Sequence, residues 1–240
     1  MTEIGKREFK DALFGEFSRL GKALASGRRL ELIELLAQGN RTVEQLAKET
    51  GQSIANTSQH LQVLRQARLV DSTRHGNYIR YRLADDQVLR LWLALRDTGE
   101  VRLPEVESLV NGYFDGRRQL QAINCEELRR RLEAGRTVVI DVRPTLEYEA
   151  GHITGARSLP VEEIEARLKD LPKSKMIVAY CRGPYCVFAD EAVALLTRRG
   201  FRAVRLDAGL PDWKMEGGPV EYGTSPQISP NGERRVDGTN

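Results

Sequence analysis

Two cysteines five residues apart, Cys181 and Cys186, bracket Arg182, Gly183, Pro184 and Tyr185, and no other stretch of the chain is so suited to covalent chemistry. Before it, Met176 to Tyr180 is a short apolar run between Lys175 and a Gly-Pro turn, which reads as a buried strand. After it, Ala189, Ala192, Val193, Leu195 and Leu196 recur at helical spacing until Arg198-Arg199-Gly200, where basic residues and a glycine mark a helix C-terminus. Cys181 therefore leaves a strand and faces the start of a helix. There, loop N–H groups and the positive end of the helix dipole can converge on one sulfur and favour thiolate over thiol. A thiolate so held is a nucleophile. The competing reading is a buried small hydrophobe, as most free cysteines are. Arg-Gly-Pro-Tyr is a poor core sequence, however, and a second thiol closes the same loop. A phosphate cradle would need an arginine six residues after Cys181, where the chain has Val187.

The surroundings extend the pattern. Thr137 to Ile140 is an apolar strand ended by Asp141, and Gly151-His152 to Ala156 is a turn that re-enters a strand. Asp141-Val-Arg143, Glu147-Tyr148, Gly151-His-Ile-Thr-Gly-Ala156, the Cys181 loop, Leu206 to Trp213 and Gly218-Pro-Val220 follow one another in order. Together they resemble the rhodanese family of sulfurtransferases over roughly residues 121–222. The resemblance implies an α/β fold with a central parallel sheet, in which Cys181 carries sulfane sulfur as a persulfide. The implied site is Cys181 with Arg182, Gly183, Tyr185 and Cys186, supported by Asp141 and Arg143 beside the loop. Arg182 is expected to attract an anionic donor such as thiosulfate or polysulfide, and Cys186 to act as a resolving thiol. His152 is expected to be structural, bonded within its turn. Cys125, at a helix start after Asn124, is expected to be inert.

The chain has 240 residues, of which 40% are hydrophobic and 30% charged, enough apolar side chains for one or two soluble cores. No run approaches the ~18 consecutive apolar residues of a membrane span, and the first residues lack the apolar core of a secretory signal. Three cysteines make no disulfide framework and suit a reducing compartment, so a cytoplasmic protein is expected. A formal net charge of +3 is too small to identify a nucleic-acid partner; the placement of the charges carries more weight.

Toward the N-terminus, residues 1 to 10 read as frayed, and Leu13, Phe14, Phe17, Leu20 and Leu24 hold one face of a helix beginning near Asp11. A second helix runs over Arg29 to Leu36. Thr42 with Gln45 has capping-box spacing and opens a third, ending at Thr50-Gly51. Ser53 opens a fourth, with Ile54, Leu61 and Leu64 inward and Asn56, Thr57, Gln59, His60 and Gln62 on a polar face. Val70 to Leu83 alternates around Gly76-Asn77 as a basic hairpin. Helix, turn, helix and wing is a DNA-binding pattern. In Thr42 to Ala47 and Thr57 to Val70 it resembles the winged-helix repressors of the ArsR family, over roughly residues 11–98.

That resemblance implies a homodimer on palindromic double-stranded operator DNA. The expected contacts are Ser53, Asn56, Thr57, Ser58, Gln59, His60, Gln62 and Arg65 on the recognition helix, and Arg74, His75 and Arg80 on the wing. The dimer seam is expected from Leu13 to Leu24 and Val88 to Leu95. The helix from Asp85 to Asp97 carries no histidine or cysteine, so no metal site and no cofactor are expected.

The domains are expected to be a winged helix over 1–100, a helical linker over 101–120, the rhodanese-like domain over 121–222 and a disordered tail over 223–240. The leading functional expectation is a transcriptional repressor whose ligand is a chemical state of sulfur. The alternatives are a thiosulfate or polysulfide sulfurtransferase localised by its DNA-binding half and, more remotely, an arsenate-responsive regulator. Whether the loop turns over as an enzyme is left open by the residues.

Overall fold

The computed structural model describes residues 5–76, 78–113 and 120–223. The chain divides into two compact units, 1–97 and 98–240. Four helices open the first unit: α1 (Lys6–Leu24), α2 (Gly27–Ala37), then, after β1 (Arg41–Thr42), α3 (Val43–Thr50) and α4 (Ile54–Gln66). The hairpin β2 (Val70–His75) and β3 (Tyr78–Leu83) follows, and then α5 (Asp86–Arg102). Leu32, Ile33, Leu35 and Leu36 of α2 pack with Leu46, Leu61, Leu64 and Tyr81 into one core. The Thr42 capping box forms, with Gln45 N–H donating to the Thr42 hydroxyl and Thr42 N–H to the Gln45 side chain, so α3 starts where its sequence expects. Gly51, at φ +63, ends it in the left-handed region that glycine tolerates. The turn before α4 is set by that residue.

Three sequence expectations need correction here. Helix α1 begins at Lys6, not near Asp11, because Phe9 extends the apolar stripe by one turn and Arg7 pairs with Asp11 across i,i+4. Ile54 does not face inward: as the first residue after the Ser53 cap it lies beyond the helix's packed face and is 53% exposed. The wing is a three-stranded sheet of order β1-β3-β2, since Arg41 and Thr42 pair with Tyr81 and Arg80. The Arg41 side chain is buried and ties the end of α2 to α3, donating to the Gly39 carbonyl at 3.0 Å and to Glu49 at 2.9 Å.

In the second unit α6 (Pro104–Tyr113) precedes β4 (Ala122–Ile123), α7 (Cys125–Glu133), β5 (Thr137–Asp141), α8 (Thr145–Ala150), β6 (His152–Ile153) and β7 (Arg157–Ser158). After two short 3-10 turns come β8 (Met176–Cys181), α9 (Phe188–Arg198), β9 (Ala203–Gly209), α10 (Leu210–Met215) and β10 (Val220–Glu221). Five strands form a parallel sheet of order β4-β9-β8-β5-β7. β6 pairs with β10 in a separate antiparallel ribbon. Alternation along β8 divides the core in two. Ile177, Ala179 and Cys181 join the layer under α9, whereas Val178 and Tyr180 join the layer with Leu128, Leu210 and Trp213. β8 is thus covered on both faces, as parallel strands require. Of the expected linker over 101–120, residues 101–113 and 120 are described, and the tail expectation, apart from residue 223, lies outside the described residues.

Candidate functional site

Ligand sites of parallel α/β sheets lie where the strands end, and here β5, β8 and β9 deliver Asp141, Cys181 and Gly209 to the same edge. Cys181 pairs with Gly209 in the strand register, and Asp141 with Tyr180. From Cys181 the chain turns through Arg182, Gly183, Pro184 and Tyr185 to Cys186, with Cys186 N–H donating to the Gly183 carbonyl at 3.2 Å. The turn brings the two thiols together as a disulfide with Cα atoms 6.2 Å apart. Cys181 is 2% exposed and Cys186 is half-buried against the α9 layer. Phe188 starts α9 two residues later, so the second sulfur lies at a helix N-terminus.

Under the loop is a buried polar network. Asp141 accepts from the Arg143 backbone N–H at 3.0 Å, from its Nε at 2.9 Å, from its Nη2 at 2.6 Å and from the Tyr180 hydroxyl. Arg143 donates further to the Gly151 carbonyl at 2.7 Å, and Tyr180 accepts from Ile153 N–H at 3.1 Å. Asp141 and Arg143 are both fully buried. Burial works against the Arg143 charge, but Asp141, joined by Tyr180 and Glu147, outweighs it and holds the guanidinium above its ordinary pKa. Burial and the Asp141 charge together push the Tyr180 phenol well up, which keeps it a hydrogen-bond donor.

Glu147 is the residue that sequence reasoning undervalued. Placed by α8 and 2% exposed, it accepts from Arg182 Nε at 2.9 and 3.2 Å and lies 3.9 Å from Arg143 Nη1. The Arg182 charge expected to attract an anion is thus engaged by a carboxylate, with about a fifth of its side chain exposed. Gly209 was likewise seen only as part of a framework motif. A Cβ there would lie 2.0 Å from the Arg182 carbonyl oxygen and 2.7 Å from Gly183 N, so the loop rests directly on a bare backbone. Its sequence signal was only the glycine itself, three residues before Asp212, whose carboxylate accepts Gly209 N–H at 2.9 Å.

Two further expectations concern residues near this site. The His152 ring is buried, stacks on Tyr148 at 3.7 Å and bonds the Tyr148 carbonyl through Nδ1 at 2.9 Å, so its partner is on α8 and not within the Gly151–Ala156 turn as expected. Cys125 belongs to the core layer on the opposite face of the sheet from Cys181. Burial, then the charges of Glu216 and Asp212, push its thiol up to about 12, which disfavours the thiolate.

On the first unit, Asn56, Gln59, Gln62 and Arg65 are exposed along α4, Ser58 and His60 are half-buried, and Ser53 caps the helix by accepting Asn56 N–H at 3.2 Å. Asn56 Nδ2 donates to Gln52 at 3.0 Å and Arg65 Nη1 to the Ser72 hydroxyl at 3.3 Å. Thr57 is corrected: its side chain is fully buried on the same face as Leu61 and Leu64, which removes it from any surface a duplex could touch. Arg74 and Arg80 are exposed on the wing, and His75 pairs with Tyr78 at its tip. Tyr78 and Ile79, 63% and 47% exposed, add apolar surface there that was not anticipated. Among the described residues no group of three or more His, Cys, Asp or Glu side chains could hold a metal ion. No described helix is long and apolar enough to cross a membrane.

Comparison with known proteins agrees with this division. Residues 26–72 match the bacterial regulatory protein, arsR family, and residues 124–216 match the rhodanese-like domain. The chain is 41% identical over 219 residues to the HTH-type transcriptional regulator Rv0324 of Mycobacterium tuberculosis, covering 91% of this chain and 96% of that one. It is 28% identical over 149 residues to a tRNA uridine(34) hydroxylase of Escherichia coli, covering 56% of this chain and 40% of that longer protein. A solution structure of a homodimeric winged helix-turn-helix DNA-binding domain from Mycobacterium bovis is 40% identical, over 43% of this chain and 94% of that one, with a TM-score of 0.39.

Proposed function

The chain belongs to the ArsR-type transcriptional regulators and carries a rhodanese-like domain, and from that premise we propose that it is a repressor controlled by sulfane sulfur. Cys181, as thiolate, takes sulfur from a donor such as thiosulfate or polysulfide and holds it as a persulfide. The observation that carries this reading is the position of Cys181 at the C-terminal end of the central strand, in a loop braced from below by Gly209 and from the side by Glu147 through Arg182. The α4 face and the Arg74 and Arg80 wing bind operator DNA, in the cytoplasm. α4 supplies exposed amide side chains able to read base edges, and the wing supplies cations for phosphates.

The operator-binding form is a homodimer. Phe9, Phe14 and Phe17 are 55%, 65% and 57% exposed on α1, and Leu91 and Leu95 are 39% and 40% exposed on α5. Apolar side chains exposed in this number on two helices are costly against water and suit a second copy of the chain. Replacing Phe14 and Phe17 with serine should convert a dimer to a monomer in analytical ultracentrifugation and abolish tight operator binding.

The decisive experiment measures operator affinity of the reduced protein before and after exposure to polysulfide, with Cys181→Ser alongside. A coupling of ~1–3 kcal/mol predicts a change of roughly 5- to 150-fold in the wild type and none in the variant. Equal affinity in the two states would reject the sensor. The same loop run repeatedly would be a sulfurtransferase; the disulfide partner beside Cys181 favours a single event over turnover, and sustained sulfur transfer to cyanide would reverse that preference.

A further inference from the structure

We infer that Cys186 discharges the sulfur from Cys181 as sulfide, so that the stable reporting state of the loop is the Cys181–Cys186 disulfide and not the persulfide. The inference rests on the reading of Cys181 as the sulfane-sulfur carrier and adds the fate of the sulfur. The folded loop accommodates a direct bond between the two sulfurs while Cys181 keeps its strand pairing with Gly209 and Cys186 keeps its turn bond to Gly183. The Cα separation of 6.2 Å lies within the range that disulfides span. A thiolate at Cys186 is therefore within attacking distance of the Cys181 sulfur without any change in the strand or the helix. The remaining thiol, Cys125, is on the other face of the sheet and stays protonated, so it cannot compete.

The chemistry balances in two steps. The Cys181 thiolate attacks the outer sulfur of a low-molecular-weight persulfide, forming Cys181–S–S⁻ and releasing the donor as its thiol. The Cys186 thiolate then attacks the Cys181 sulfur, the bond to the added sulfur breaks, and that atom takes the electron pair and one proton from water and leaves as hydrosulfide. Two thiols have become a disulfide, losing two electrons, and one sulfane sulfur has gained them.

The structure also accounts for a single discharge per loop. In the disulfide form Cys181 is 2% exposed, whereas Cys186 is half-buried and is the more exposed of the two residues. A second donor finds no thiolate. A dithiol reductant attacks at Cys186 and frees Cys181, which resets the loop.

The test treats the fully reduced full-length protein with glutathione persulfide and follows intact mass, trapped sulfide and the peptide linking the two cysteines. Wild type should lose the mass of two hydrogens, release one sulfide per chain and yield a Cys181–Cys186 cross-linked peptide. Cys186→Ser should instead gain the mass of one sulfur atom on Cys181 and release no sulfide, and Cys125→Ser should behave as wild type. Wild type that keeps the added sulfur with no cross-link would overturn the discharge while leaving the carrier intact. Absence of the added sulfur in Cys186→Ser, with its native circular dichroism retained, would overturn the carrier itself.

Discussion

Removing the charge of Glu147 while keeping its shape tests the idea that the reactive loop is held from the side by one buried carboxylate. In Glu147→Gln the side chain keeps an acceptor for Arg182 Nε, now at 2.9 Å, but loses the charge shared between Arg182 and the more distant Arg143. Breaking a fully buried pair costs about 3–5 kcal/mol, because the other charge is left uncompensated. Two features reduce that here. Arg143 retains Asp141 as its main partner, and Arg182 is 22% exposed and can turn toward water. About 1.5–2.5 kcal/mol is then the expected loss, of the order of a charge-assisted hydrogen bond. It would be read as a shift in urea midpoint, followed by Trp213 fluorescence in a Trp92→Phe background. A double-mutant cycle with Arg182→Gln should return a coupling above ~1 kcal/mol, together with faster alkylation of the reduced loop. Zero coupling, or unchanged thiol reactivity despite lost stability, would refute the claim that Glu147 acts on the loop through Arg182.

Other outcomes follow from the same contacts. Gly209→Ala forces a Cβ to within 2.0 Å of a backbone oxygen that no rotamer change can move, so it should cost at least the ~1–3 kcal/mol of ordinary overpacking and slow persulfide formation; wild-type thermal stability would contradict it. Cys125, with its thiol pushed up to about 12, should resist iodoacetamide in the folded protein at pH 8 and react once denatured. Below the ordinary thiol pKa of ~8.5 both states hold the proton and no difference arises. Above it only the unfolded chain ionises, so stability should fall with rising pH toward about 12 in wild type and less in Cys125→Ala, as urea midpoints at pH 8 and pH 10 would register. Arg74→Ala with Arg80→Ala should weaken all DNA alike and flatten the salt dependence, whereas Gln59→Ala should lower operator preference; a sequence-selective loss from the arginine pair would exchange those roles.

Local chemistry made much of the protein legible in one dimension. Capping at Thr42 and Ser53, the Gly51 turn, the Val70 to Leu83 hairpin and the strand-loop-helix around Cys181 all depend on neighbours within a few residues, so residue order alone specified them. Errors arose where burial depends on elements far apart in the chain. Ile54 and Thr57 are three residues apart on one helix, and periodicity could not tell which would meet the core formed by α2 and α3. The short strand at Arg41 exists only because β3 returns beside it.

At the Cys181 loop the division is similar. The residue types and spacing of Cys181 and Cys186 were enough to suggest thiol chemistry, since five residues can close a turn. That Arg182 is engaged by Glu147, that Asp141 and Arg143 are sealed beneath the loop, and that Gly209 must lack a side chain are consequences of parallel strands ending at one edge. A parallel sheet brings together residues separated by dozens of positions, and no local pattern in the chain encodes which of them will touch.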